Sequence, residues 1–372
     1  MPENKGLEGV VVADSKISSI IGSQLTYGGY EIDDLAENAL FEEVVYLLWN
    51  DQLPNQQELD AFTDELFNLM TLDDNIYKHF ELYPVDKVHP MSAIRTGLSL
   101  TAHYDENAED SSVEASKNKA VRILAQMPAL VAAFARIREG KEVVKPKEGL
   151  TYAANFLYML NGEEPTDTEV EAMNKVLVLQ ADHELNASTF TARVCVGTES
   201  DVYSGVTAAI GALKGPLHGG ANEQVMEMLK EIGSLDNVEG YLQKKFDNKE
   251  KIMGIGHRVY KDGDPRAKYL KDMSMKLTDE NGYSELFEIS TKIADIVKEE
   301  KGLLPNVDFY SATVYHSLGI ESDLFTPIFA MSRASGWTAH ILEQYADNRL
   351  IRPRAEYVGA TDRKYEPIEN RS

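Results

Sequence analysis

The sequence predicts an all-α protein, and three observations carry that prediction. Apolar side chains recur at three- and four-residue spacing along most of the chain. Residues that cap helices stand in front of several of these runs, and glycines stand behind some of them. Strand-like runs are few, the best being 9–13 and 24–27 near the N-terminus.

Each helical segment has its own signal. Over 55–70, Asn55 is an N-cap in front of Leu59, Phe62, Leu66 and Met70. Over 119–140, Val121, Ile123, Leu124, Met127, Leu130, Val131, Phe134 and Ile137 make one long apolar face, closed by Gly140. The stretch 166–181 opens on Thr166 and carries Val170, Met173, Val176 and Leu177. Segments 219–232, 284–300, 309–318 and 327–345 read the same way. Between them, the acidic stretch 104–112 reads as a solvated loop. Residues 247–263, rich in charge and glycine, are either a loop held out for a ligand or a surface connection. The polar end, 366–372, is expected to fray.

A length of 372 residues allows two domains or one large domain with an insertion. The apolar share of 43% is enough for a sizeable core. With 37 basic and 61 acidic side chains the net charge is −24, which disfavours nucleic acid and anionic membrane surfaces as partners. An anionic ligand would then need arginines and lysines gathered at its site. The single cysteine, Cys195, cannot form an intrachain disulfide and reads as a small buried residue. No apolar run looks long enough to cross a bilayer, and the first residues lack a signal-peptide pattern. A cytoplasmic location is the expectation.

Three short segments carry chemistry. In Lys214-Gly-Pro-Leu-His218-Gly-Gly-Ala-Asn, glycines and a proline force a sharp turn into a helix. The positive helix end disfavours imidazolium, so a neutral His218 could donate to a carbonyl being enolised; a plain turn histidine is the alternative. In Met253-Gly-Ile-Gly-His257-Arg-Val-Tyr-Lys-Asp-Gly-Asp-Pro-Arg266 the third glycine of a dinucleotide motif is replaced by Val259, and no clear strand precedes it. What remains is a glycine pair beside an imidazole and the cations Arg258, Lys261 and Arg266, suited to an anion or simply solvated. In Leu304-Pro-Asn306-Val-Asp308-Phe, Asp308 stands among apolar neighbours at a helix start, as a base of raised pKa or a plain N-cap.

Other segments are less decisive. Ala181-Asp-His183-Glu-Leu-Asn186-Ala lacks the second histidine of a zinc helix, because position 187 is alanine, and no metal is expected. Arg333, in Met331-Ser-Arg-Ala-Ser-Gly, and Arg352, in Ile351-Arg-Pro-Arg354, could each bind a carboxylate or form a surface ion pair.

Together and in this order, the segments resemble the citrate synthase family, including its 2-methylcitrate synthases, and are nearest its short form. The pieces are Gly-Pro-Leu-His218-Gly-Gly-Ala-Asn, Gly-Ile-Gly-His257-Arg-Val-Tyr with Asp-Pro-Arg266, Asn306-Val-Asp308, Ser-Arg333-Ala-x-Gly and Arg352-Pro-Arg354. Leu25-Thr-Tyr-Gly-Gly-Tyr30, Asp34-Leu-Ala, Phe41-Glu-Glu-Val, Leu53-Pro54 and His89-Pro-Met91 agree, and the likeness runs over about 6–359. Gly28 departs from the pattern, where many relatives carry arginine.

The resemblance implies the all-α citrate synthase fold: a large domain, 1–218 and 324–372, with a smaller, CoA-side lobe inserted at 219–323. It implies an acyltransferase that joins acetyl-CoA to oxaloacetate, giving citrate and CoA through an enol(ate) and citryl-CoA. Asp308 would be the base, His218 the donor to the thioester oxygen and His257 the donor to the ketone. His183, Arg266, Arg333 and Arg352 would hold oxaloacetate, with Arg352 crossing from the partner of a homodimer. Met253, Gly254, Ile255 and Gly256 would receive the adenine of CoA, with Arg258 and Lys261 on its phosphates. CoA is a co-substrate, and no permanently bound cofactor is implied. Three alternatives stand beside this: a 2-methylcitrate synthase using propionyl-CoA, or an enzyme of dual activity; a citryl-CoA lyase module without its usual fused domains; and a non-catalytic helical scaffold. The family's NADH-inhibited hexamers carry an added N-terminal domain, so a dimer without that inhibition is expected.

Overall fold

Capping residues and apolar spacing place most helix boundaries. In the computed structural model, which describes residues 5–7, 9–257 and 259–371, Asn55 caps helix Gln56–Leu69. Its side chain accepts from the Glu58 N–H, while Glu58 accepts from the Asn55 N–H at 2.8 Å. Thr166 and Glu169 repeat the device at Asp167–Gln180. Ser112 caps Val113–Arg138, so this helix starts before the apolar spacing that announced it. Its first turn exposes Val113 and Glu114 and buries only the small Ala115 and Ser116, so it carries little hydrophobic signal.

Val113–Arg138, with 26 residues, is roughly 39 Å long. It corrects the sequence expectation, because its length and composition would suit a bilayer. However, 83% of its most apolar window is buried inside the protein. It packs against Phe325–Ala346, Tyr152–Asn161 and Pro90–Thr101, and the first two of these helices are themselves mostly buried. A second group, Ala221–Ile232, Ala267–Glu280, Ser284–Lys301 and Val307–Ser317, packs on itself. It meets the rest through contacts that include Asp167–Gln180.

The described β-structure is one three-stranded antiparallel sheet, β1 (Ser18–Ile21), β2 (Gln24–Tyr27) and β3 (Tyr30–Glu31), joined in that order. Residues 9–13 are not a strand, contrary to expectation. They run irregularly and line a large cleft instead. Gly28 and Gly29 both have positive φ and turn the chain between β2 and β3. Cys195 is half-buried rather than buried, and burial pushes its thiol pKa up.

One junction positions the chemistry. A helix ends on carbonyls without intrahelical partners, and Phe325–Ala346 satisfies two at the end of Asp167–Gln180 and that of Ala181, which follows it. Ser332 Oγ donates to the Leu177 carbonyl (2.6 Å) and Arg333 Nε to that of Gln180 (2.7 Å). The Ala181 carbonyl accepts from Ser335 Oγ (3.3 Å) and the Gly336 N–H (3.1 Å). Gly336 permits this approach, since a Cβ there would overlap Asp182 Oδ1 and lie 2.5 Å from the Ala181 carbonyl. Alanine normally stabilises a helix by up to about 1 kcal/mol over glycine. At this position Gly336→Ala should instead destabilise by about 1–3 kcal/mol through overpacking. The denaturant midpoint reads this directly, and an unchanged or raised midpoint would contradict the junction.

Candidate active site

Ser188 begins to define the site by fixing the tautomer of His218. His218 lies in the glycine turn between Val202–Leu213 and Ala221–Ile232, with its N–H bonded to the Gly215 carbonyl at 2.9 Å. The Ser188 backbone N–H donates to His218 Nε2 (3.2 Å), and Ser188 Oγ lies 2.8 Å from the same nitrogen. Trp337 Nε1 donates to that hydroxyl at 3.0 Å. A backbone N–H can only donate, so the neutral ring carries its proton on Nδ1. The ring is neutral as expected, but chiefly for a different reason. Burial, then the charge of Arg333, lowers its pKa to about 4.

His257 is fixed in the opposite sense. Its Nδ1 accepts from the Val259 N–H (3.1 Å) and the Tyr260 N–H (3.2 Å), which leaves the proton on Nε2. Burial, followed by Arg266, lowers this pKa to about 4 as well. His183 packs edge-on to His257 with ring centroids 5.3 Å apart, and its Nε2 lies 3.0 Å from Tyr260 Oη. Burial, then Arg266 and Arg333, holds it well below the ordinary imidazole value.

Asp308 is not a helix cap. Asn306 caps Val307–Ser317, accepting from the Asp308 N–H at 3.0 Å. Asp308 as a whole is half-buried because it lines the cleft, yet its Oδ1 is sealed from solvent with no hydrogen-bond partner among the described residues. Burial raises its pKa to about 7, against the opposing charge of Arg266.

Two buried arginines face these groups. Arg266 forks onto Asp264, Nε to Oδ1 at 2.9 Å and Nη2 to Oδ2 at 2.8 Å. Burial works against its charge, but Asp264 holds the guanidinium above its ordinary pKa. Asp264 Oδ2 also accepts the Val307 N–H (3.0 Å), tying this loop to the helix of Asp308. Arg333 has no carboxylate at ion-pair distance among the described residues. It sits at the carbonyl end of Asp167–Gln180 with its guanidinium 4.8 Å from the Phe329 ring centre. Burial lowers its pKa to about 10, leaving it charged at neutral pH.

His183, His218, His257, Arg266, Asp308 and Arg333 all line one cleft of about 1820 Å³. That exceeds the roughly 300–1,000 Å³ of an ordinary small-molecule pocket and leaves room for a large ligand beside a small one. Met253, Gly254, Ile255 and Gly256 line it too. Gly254 has φ +73 and packs so tightly that a Cβ would lie 2.7 Å from Val225 and 2.9 Å from the backbone of Phe309. Lys261 is exposed and not part of the lining, and Arg258 lies outside the described residues. Arg352 is exposed on the extended segment after Phe325–Ala346 and is not brought to this cleft. Sequence reasoning missed Asp264, Ser188 and the lining lysines Lys249, Lys251 and Lys301. Asp264 had a local signal, two residues before Arg266 across a proline; Ser188 had none.

The raised pKa of Asp308 has a pH signature. Between the ordinary carboxylate value of 3.8 and about 7, the folded chain retains a proton that the unfolded chain has lost. Stability therefore falls as pH rises through that window and levels off above it. The Tm advantage of Asp308→Asn over the parent chain should grow from pH 4 to 7 and then stay constant. A difference independent of pH would remove the assignment of a raised pKa.

Comparison with known proteins gives a single answer. The family model "Citrate synthase, C-terminal domain" matches residues 6–354. The chain is 61% identical to "Citrate synthase 2" of Bacillus subtilis (strain 168), covering all of both chains. It is 42% identical to a 2-methylcitrate synthase of Shewanella oneidensis, over 98% of this chain and 97% of that one. A solved ternary complex of Thermoplasma acidophilum citrate synthase with carboxymethyl coenzyme A and oxaloacetate superposes with a TM-score of 0.93. It has 36% identity and covers 99% of both chains. The chain belongs to the citrate synthase family, whose activity is that of a condensing acyltransferase.

Proposed function

We propose that this chain condenses acetyl-CoA with oxaloacetate and water to citrate and CoA, with Asp308 as base and His218 and His257 as hydrogen-bond donors. The observation that carries the reading is a sealed carboxyl of raised pKa sharing one cleft with two neutral imidazoles, each with a fixed donor nitrogen.

Asp308 removes a methyl proton from acetyl-CoA, and a carboxylate of pKa near 7 is a stronger base than an ordinary one. His218 Nδ1–H donates to the thioester oxygen where negative charge develops. The enol(ate) carbon attacks the ketone carbon of oxaloacetate, while His257 Nε2–H donates to the ketone oxygen. Water then cleaves the citryl thioester and releases CoA as the thiol. His183, Arg266 and Arg333 hold the oxaloacetate. Two buried cations in a chain of net charge −24 support a small polyanion there.

CoA lies along Met253–Gly256, which line the cleft. The lining lysines Lys249, Lys251 and Lys301 suit its phosphates better than the outlying Lys261. Residues 219–323 act as the CoA-side lobe on a body made of 1–218 and 324–372. A second copy of the chain supplies Arg352. Its segment leaves Leu350, Tyr357, Val358, Tyr365 and Ile368 exposed, which supports coverage by that copy. A cytoplasmic enzyme fits the lone cysteine. Greater identity to a citrate synthase than to a 2-methylcitrate synthase favours the acetyl thioester, although one methylene alters pocket affinity by only about 1–3 kcal/mol.

A thiol-release assay with oxaloacetate should show faster turnover of acetyl-CoA than of propionyl-CoA. Asp308→Asn should cut kcat by about 10²–10⁴-fold while retaining oxaloacetate binding. No thiol release by the parent chain would favour a scaffold, and near-parental turnover of the variant would sink the base assignment. For the shared site, mixing inactive Arg352→Ala and Asp308→Asn chains should regenerate activity in hybrid dimers. Failure of subunit-exchanged mixtures to do so would count against Arg352 crossing the interface.

A further inference from the structure

The turn that presents His183 is itself held in place from outside the cleft. Ser18 and Tyr27 are cross-strand partners on β1 and β2, so both side chains leave the same face of the sheet. Both reach the 182–184 turn. Ser18 Oγ donates to Asp182 Oδ2 at 2.5 Å and accepts from the Glu184 N–H at 2.9 Å. Tyr27 Oη donates to the Asp182 carbonyl at 2.8 Å. Asp182 Oδ2 accepts in addition from the Glu184 N–H (3.2 Å) and from His340 Nε2 (3.3 Å). His340 is oriented in turn by Arg193, whose Nη1 donates to its Nδ1 at 3.0 Å.

These contacts constrain an unfavourable backbone. Glu184 has φ +51, a left-handed conformation that a non-glycine residue adopts only when its surroundings impose it. Its N–H is captured by both Ser18 and Asp182, and that capture imposes the conformation. Asp182 is fully buried and does not line the cleft, so it does not touch a ligand. His183 is the next residue and does line it.

We propose that Asp182, clasped by Ser18 and Tyr27, is a positioning residue for the 2-oxo-dicarboxylate subsite, fixing where His183 stands. The proposal rests on the reading that His183 binds oxaloacetate. Asp182 supplies an acceptor where three donors converge, and a side chain that cannot accept would release Glu184 and let the His183 ring swing.

Ser18→Ala removes one clasp with little change in volume, and Tyr27→Phe removes the other should the first variant fold poorly. Each should raise KM for oxaloacetate, by about tenfold for Ser18→Ala, with KM for acetyl-CoA within about twofold of the parent. The decisive measurement is the same substitution in a His183→Ala background, where it should add less than about twofold to KM. Multiplicative effects of the two substitutions, or parallel rises in both KM values, would overturn the positioning role and leave only a packing role. If His183→Ala alone leaves oxaloacetate KM unchanged, the underlying site assignment fails instead.

Discussion

The deeply buried guanidinium of Arg266 is held by Asp264 through two parallel hydrogen bonds. The same carboxylate takes the Val307 N–H, so one side chain joins the His257 loop, a cation lining the cleft and the helix carrying Asp308. Removing one member of such a buried pair typically costs about 3–5 kcal/mol, because the survivor is left charged in a poor solvent. The electrostatic role is equally direct. Arg266 pulls the Asp308 pKa down and Asp264 pushes it back up. Without Asp264 the carboxylate of Asp308 would be a weaker base, and Arg266 would lose the carboxylate that it forks onto.

Much of this arrangement was legible in the sequence, and the limits have physical causes. Helices with an apolar stripe and a cap were visible at Gln56–Leu69 and Asp167–Gln180. The start of Val113–Arg138 was not, because its first turn buries only alanine and serine. The short strand Ser18–Ile21 offered too few residues for an alternation to register. Of the site, His218, His257 and Arg266 announced themselves through glycines and clustered cations. Asp308 looked like a cap until Asn306 took that role. Ser188, His340 and Asp182 act through contacts between residues far apart in the chain, which no local pattern encodes.

The histidines show how context decides chemistry. Three imbedded imidazoles sit beside two guanidiniums, and burial together with that positive field keeps each neutral near pH 7. A neutral ring has one donor and one acceptor, and backbone N–H groups occupy the acceptor of His218 and of His257. Their donor nitrogens are thereby chosen by main-chain geometry, which is stiffer than any side chain. Positive charge beside these rings is left to Arg266 and Arg333, which keep it at neutral pH.

The glycine loop and the base are spliced together. The Asn306 N–H donates to the Gly254 carbonyl (2.9 Å) and the Gly256 N–H to the Leu304 carbonyl (2.7 Å). Asn306 Nδ2 closes on the Gly256 carbonyl (2.8 Å) while its Oδ1 caps the Asp308 helix. A nucleotide settling on Met253–Gly256 would thus press on a short β-like clasp whose far end is the start of that helix. On the proposed function, binding energy collected at the remote handle of the thioester would reach the end where the proton is removed through these hydrogen bonds. An abbreviated thioester without that handle would then forfeit speed as well as grip, the coenzyme's distal half serving, on that reading, as a lever on the carboxylate of Asp308.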